Sequence, residues 1–146
     1  MAGLVGRANQ YMQISIQDWA ERTRAKDESA NSMGLYALDQ KITAEEIFNY
    51  IQAHPPRNEG LVLAMATLIN INPSRNDLQS LLGVGQGLTR MHVRYRVLLA
   101  IVTLQRKKYI SDDDKKKVID LVISYRDRAD DPLLRQIDST LAFLNS

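Results

Sequence analysis

The sequence predicts an all-α chain: a short stack of three antiparallel helical hairpins, Thr43–Ile71, Ser74–Lys108 and Ser111–Ser146, preceded by an N-terminal helix. Three observations predict it. Apolar residues recur at spacings of three and four through most of the chain, the period of one helical face. Helix-capping residues stand at positions 43, 74 and 111, intervals of 31 and 37 residues. An apolar run also repeats: Leu63-Ala64-Met65-Ala66-Thr67-Leu68 aligns with Leu99-Ala100-Ile101-Val102-Thr103-Leu104 at an offset of 36, and that second run aligns more weakly with Ser139-Thr140-Leu141-Ala142-Phe143-Leu144 at a further 40. Repetition in this range marks a helical-hairpin solenoid.

At the N-terminus, Val5, Ala8, Met12, Ile16 and Trp19 share one helical face, which predicts a helix over Leu4–Arg24. The alternation in Met12–Gln17 also fits a strand, but a lone strand has nothing to pair with. Ala25–Ser32 is small and polar and reads as a mobile loop. Leu35, Tyr36 and Leu38 follow as a short turn or helix. Residues 1–41 therefore read as an N-terminal cap, with Tyr11 and Trp19 packed on the first hairpin, and residues 42–146 as the repeat domain.

Thr43-Ala44-Glu45-Glu46 is a capping box, in which Thr43 takes a first-turn amide and Glu46 reaches back. Ile47, Phe48 and Ile51 form the face that follows, and Pro55-Pro56 ends the helix. His54 there suits the terminal carbonyls. A second helix is expected from Arg57 to Ile71, stopped by Asn72-Pro73. Ser74 is expected to cap a third, with Leu78, Leu81 and Leu82 on one face, and Gly83-Val84-Gly85-Gln86-Gly87 to break it. Thr89 opens a fourth, to about Lys108. Ser111 caps a fifth, with Asp112, Asp113 and Asp114 where the helix dipole favours negative charge. Asp130 or Asp131 caps a sixth, with Pro132 near its first position.

Packing gives the same order. Leu61–Leu68 and Val97–Leu104 are apolar nearly all round and must be covered on most sides. Leu133, Leu134, Ile137, Leu141 and Leu144 occupy one stripe, as a terminal capping helix requires.

The chain resembles HEAT-type repeats over about Thr43–Ser146. In His92-Val93-Arg94-Tyr95-Arg96-Val97, Val93-Arg94 matches the Val-Arg pair of the second helix, and Val97, Ile101 and Leu104 match the packing positions. Asp131-Pro132-Leu133-Leu134-Arg135 is similar to the entry of the same motif, which then slips by a residue, and the first hairpin matches only in its apolar run. The resemblance implies a right-handed stack whose second helices line a concave surface.

Composition bounds the function. The chain has 146 residues, 45% hydrophobic and 25% charged, enough for one domain and too apolar for wholesale disorder. It has no Cys, which excludes disulfides, thiolate metal sites and a Cys nucleophile, and two His, too few for the usual zinc set. Its apolar stretches are far short of a bilayer span, and Met1–Asn9 has no apolar leader core, so a cytoplasmic protein is expected. The Gly run lacks both the preceding strand and the spacing of a phosphate cradle. Three Lys follow the Asp112–Asp114 run directly, and a calcium-loop spacing is missing. No cofactor or metal is expected.

Charge is uneven. Residues 1–73 carry 6 basic and 8 acidic side chains, and residues 74–146 carry 13 and 9. Nine of the basic residues fall within Arg90–Lys117, against three Asp. His92, Arg96, Leu99, Thr103 and Arg106 share one face of the fourth helix, and Arg90, Lys107 and Lys108 extend its positive field. With Arg94 these are the candidate partner-binding residues: Arg90, His92, Arg94, Arg96, Thr103, Arg106, Lys107 and Lys108. No orienting carboxylate lies near His92 in sequence, which speaks against a general base. The reading is a non-enzymatic protein-interaction module that holds an acidic surface or peptide of another protein. Nucleic-acid binding by the basic hairpin is the alternative, against which stand the modest net charge of +2 and the lack of an aromatic ladder.

Overall fold

A computed structural model describes all 146 residues. They form eight α-helices and no strand: α1 (Ala2–Met12), α2 (Trp19–Asp39), α3 (Ala44–Ala53), α4 (Glu59–Ile71), α5 (Asp77–Gly85), α6 (Met91–Arg106), α7 (Asp112–Ser124) and α8 (Asp131–Leu144).

Several caps are those the sequence announces. Thr43 Oγ accepts from the Glu46 amide at 3.1 Å, although Glu46 answers by accepting from the Thr43 hydroxyl at 3.4 Å rather than from its amide. Ser111 Oγ accepts from the Asp114 amide, and Asp130 from the Leu133 amide with Pro132 beside it. Asn58 caps α4 through the amides of Gly60 and Leu61.

The helix α4 lies at the centre. It packs against α1, α2, α3, α5 and α6, and every residue from Glu59 to Ile69 is buried. An all-round apolar surface demands this, since each fully buried Leu, Ile, Val or Met contributes about 1.5–3 kcal/mol relative to exposure. Further along the chain, α3 packs on α5 and α5 on α7, while α4 packs on α6 and α6 on α8. Within Val97–Leu104, Leu99, Val102 and Thr103 stay half-buried and the other five are buried. One contiguous core joins all eight helices, from Leu4 in α1 to Leu144 in α8.

The N-terminal third departs from expectation. The single helix expected over Leu4–Arg24 is two, broken at Gln13–Asp18. Ala25–Ser32, expected as a mobile loop, lies inside the 21-residue α2. Asp18 caps that helix, accepting from the Glu21 amide at 2.9 Å. Its inner face is Ala30, Met33, Gly34 and Ala37. These small residues let α2 close on α4: a Cβ on Gly34 would stand 2.6 Å from Thr67 Cγ2. Tyr11 packs inside at 2% exposure, but Trp19 is 61% exposed and does not pack on the first hairpin.

Smaller corrections concern the middle. The helix expected from Ser74 begins at Asp77, whose carboxylate accepts from the Ser74 amide at 2.7 Å. Gly83 and Gly85 are helical, and only Gly87 (φ +70°) makes the turn. The helix expected to open at Thr89 starts at Met91.

Candidate functional site

The candidate residues lie on α6 and its two ends, and the fold uses them in different ways. The start of α6 has no cap of its own. Glu59, 8% exposed at the head of α4, supplies one: its carboxylate accepts from the Thr89 amide, the Thr89 hydroxyl at 2.7 Å and the Arg90 amide at 3.0 Å. A carboxylate at the positive end of a helix gains from the dipole as well as the bonds. Arg90 is thereby held through its backbone and its side chain is left half-exposed.

One turn on, His92 and Arg96 face α2. His92 Nε2 meets Asp27 Oδ1 at 2.8 Å, and Arg96 donates to the same oxygen at 3.0 Å and to Asn31 Oδ1 at 3.1 Å. On its other side, His92 Nδ1 lies 3.0 Å from the Tyr11 hydroxyl of α1. So the carboxylate missing near His92 in sequence comes from 65 residues away.

Burial lowers the His92 pKa, the bond to Asp27 raises it, and Arg96 and Lys26 lower it; the balance falls below the ordinary imidazole value. Burial pushes Asp27 up, and the hydrogen bonds from His92 and Arg96 outweigh it and bring the carboxyl below its ordinary value. Burial raises Tyr11 far above an ordinary phenol, so it keeps its proton. Asp27 Oδ1 already accepts from Arg96 and, as a carboxylate, accepts from Nε2–H as well, which leaves Nδ1 to accept from the Tyr11 hydroxyl. Both ring nitrogens are engaged within the chain, Nδ1 by Tyr11 and Nε2 by Asp27. What this arrangement does chemically is join three helices.

Arg94 points the other way. It is 7% exposed, and its guanidinium donates to the carbonyls of Leu88 at 2.7 Å, Tyr125 at 3.3 Å and Asp127 at 2.5 Å. It tethers the turn after α7 to the connection before α6. Its place in the partner-binding set is therefore corrected: a side chain enclosed by three backbone carbonyls has no face left for a partner. His92 and Arg96, expected on an open concave face, are covered by α2, and the Thr103 hydroxyl donates to Asn70 of α4.

Arg106, Lys107 and Lys108 are different. All three are exposed and none takes part in an ion pair. The turn that ends α6 sets them outward. Lys108 adopts a left-handed conformation (φ 61°), Tyr109 N–H bonds back to Leu104 O, and Lys108 N–H to Gln105 O. This double closure is a Schellman motif, in which a cation sits at the negative end of the helix dipole. Arg75, exposed before α5, lies over the Tyr109 ring at 4.9 Å and brings a fourth cation to the same end. The sequence reading did not include Arg75, because nothing local ties the turn after α4 to the turn after α6.

No family model matches the chain, and no curated protein or solved structure matches it significantly. No helix is long and apolar enough to cross a membrane.

Proposed function

We propose that this protein is a non-enzymatic protein-interaction module that receives an acidic surface or peptide of another protein at the exposed end of α6. The observation that carries the reading is the contrast along that helix. Arg94 and Arg96 are consumed by bonds within the chain, whereas Arg106, Lys107 and Lys108 face solvent together without an acidic partner. Arg75 widens that surface. Clustered unpaired charge steers an oppositely charged partner and fixes its register. We further read the contacts of α3 with α5 with α7, and of α4 with α6 with α8, as the HEAT-like stacking of three hairpins, with α1 and α2 laid over the first. In this reading docking is at the end of the stack, because α2 covers part of the concave side.

The test is a binding titration of a fluorescent acidic peptide, with the triple variant Arg106→Glu, Lys107→Glu, Lys108→Glu beside the wild type. The wild type binds with an affinity that falls as salt rises, and the triple variant loses at least about tenfold with unchanged unfolding, as expected for exposed charges. Equal binding by both proteins refutes the reading. Tighter binding to duplex DNA than to the acidic peptide, lost in the same variant, would assign the surface to nucleic acid instead.

A further inference from the structure

Residues 13–29 are lightly attached to the fold: none is buried, and Ile14 alone among them is an apolar side chain packed against the core. The C-terminal half of α2 is anchored by Ala30, Met33, Gly34 and Ala37, all buried. The N-terminal half, Trp19–Ser29, has no buried residue at all. Arg22 only bonds back to Ile16 O and Gln17 O in the preceding connection. The sole side chain of this segment that bonds to another helix is Asp27, which holds His92 and Arg96 with one oxygen. A helical half that is exposed or half-buried throughout, with one side-chain bridge to another helix, belongs to the low-stability end of a structure, where local opening occurs.

We propose that Trp19–Ser29, with the Gln13–Asp18 connection, is a hinged arm pinned to α6 through the Asp27–His92–Tyr11 bridge, and that acidification releases it. The geometry gives the direction. His92 can take a proton only on Nδ1, the atom to which Tyr11 donates, and Tyr11 is 2% exposed. Protonation would therefore strand a buried hydroxyl without its acceptor. The charged and titratable groups around the bridge are Tyr11 of α1, Lys26 and Asp27 of α2, Glu59 of α4, and Arg90 and Arg96 of α6. Asp27 favours the imidazolium, while burial, Arg96 and Lys26 oppose it and prevail.

In the open arm His92 regains water and its ordinary proton affinity, so the open form takes up the proton first. The closed arm is thus favoured above the ordinary imidazole value of about 6.5 and loses ground as pH falls below it, by up to about tenfold per pH unit for one proton. Asp27, lowered in the closed form, adds the same sign only near and below its ordinary value. Opening also uncovers Arg96. That last consequence rests on the proposed function; the arm itself does not.

Hydrogen exchange at pH 7.5, 6.5, 5.5 and 5.0, corrected for intrinsic chemistry, tests the arm with no partner present. Protection of residues 19–29 should fall several-fold from pH 7.5 to 5.0, while that of α7 stays constant. His92→Gln supplies the control. Its amide oxygen replaces Nδ1 as acceptor from Tyr11, its amide N–H replaces Nε2–H as donor to Asp27, and it does not titrate. The arm of that variant should stay protected at pH 5.0. Imidazole nitrogen resonances of the wild type give a second readout, with His92 titrating below the ordinary value. Protection of residues 19–29 that does not change with pH, the same fall in His92→Gln, or His92 titrating at or above about 6.5 overturns the proposal.

Discussion

Arg94 is where a structural and a binding role predict opposite outcomes. Consider Arg94→Met, which keeps the aliphatic stem and removes the guanidinium. Leu88 is 1% exposed, and its carbonyl loses its donor at 2.7 Å. An orphaned buried carbonyl costs about 1–3 kcal/mol. The carbonyls of Tyr125 and Asp127 lose their tie as well, at about 1 kcal/mol together: the buried Tyr125 bond is long, at 3.3 Å, and at exposed Asp127 water replaces the lost bond. The variant should therefore be less stable by about 3 kcal/mol, which for a chain of this size lowers Tm by roughly 6–12 °C. Urea unfolding followed by circular dichroism measures the loss. Hydrogen exchange should show residues 125–130 opening first, since the tether joins that turn to the α5–α6 connection. Acidic-peptide affinity, measured well below the transition, should be unchanged. A loss below about 1 kcal/mol, or binding abolished at full stability, would refute this assignment and return Arg94 to the proposed docking surface.

Three further outcomes follow from the same contacts. Glu59→Gln keeps the shape but gives up charge-assisted bonds at the head of α6, so it should destabilise by about 1–3 kcal/mol in urea unfolding and speed exchange at residues 91–94. Gly60→Ala places a Cβ 2.6 Å from the Ala8 carbonyl oxygen, a backbone atom that cannot swing aside; α1 must shift, at about 1–3 kcal/mol, and its amides should lose protection before those of α7. Tyr125→Phe strips the donor from Gly85 O, now 2.7 Å away inside the core, and should cost about 1–3 kcal/mol by thermal unfolding with no effect on acidic-peptide binding.

The proposed docking surface is partly legible in the chain. Arg106, Lys107 and Lys108 are adjacent residues at a helix end, and such a run is exposed in almost any packing. His92, Arg94 and Arg96 were not separable from them, since periodicity gives a residue's helical face but not what lies across from it. Arg94 follows Val93, which is fully buried, and turns inward with it. For His92 and Arg96 the deciding residue, Asp27, lay in a stretch read as a loop. The start of that helix was available in Asp18-Trp19-Ala20-Glu21, an acceptor followed three residues later by Glu.

The sequence alone determined the helical content from Thr43 onward, because caps, breakers and large apolar residues act over four or five neighbours, and these signals survive any tertiary arrangement. It also determined that Leu61–Leu68 must lie inside, since seven of those eight residues are apolar and they face every side of the helix. The tertiary structure alone decided what covers it. The inner face of α2 is built of Ala30, Met33, Gly34 and Ala37, residues whose value lies in how closely they let another backbone approach. Small side chains leave little periodic apolar signal, so a helix that packs by closeness rather than bulk shows itself only when its partner is in place. With that helix laid over α4, the fold settled which cations were bound within the chain and which were left at its surface.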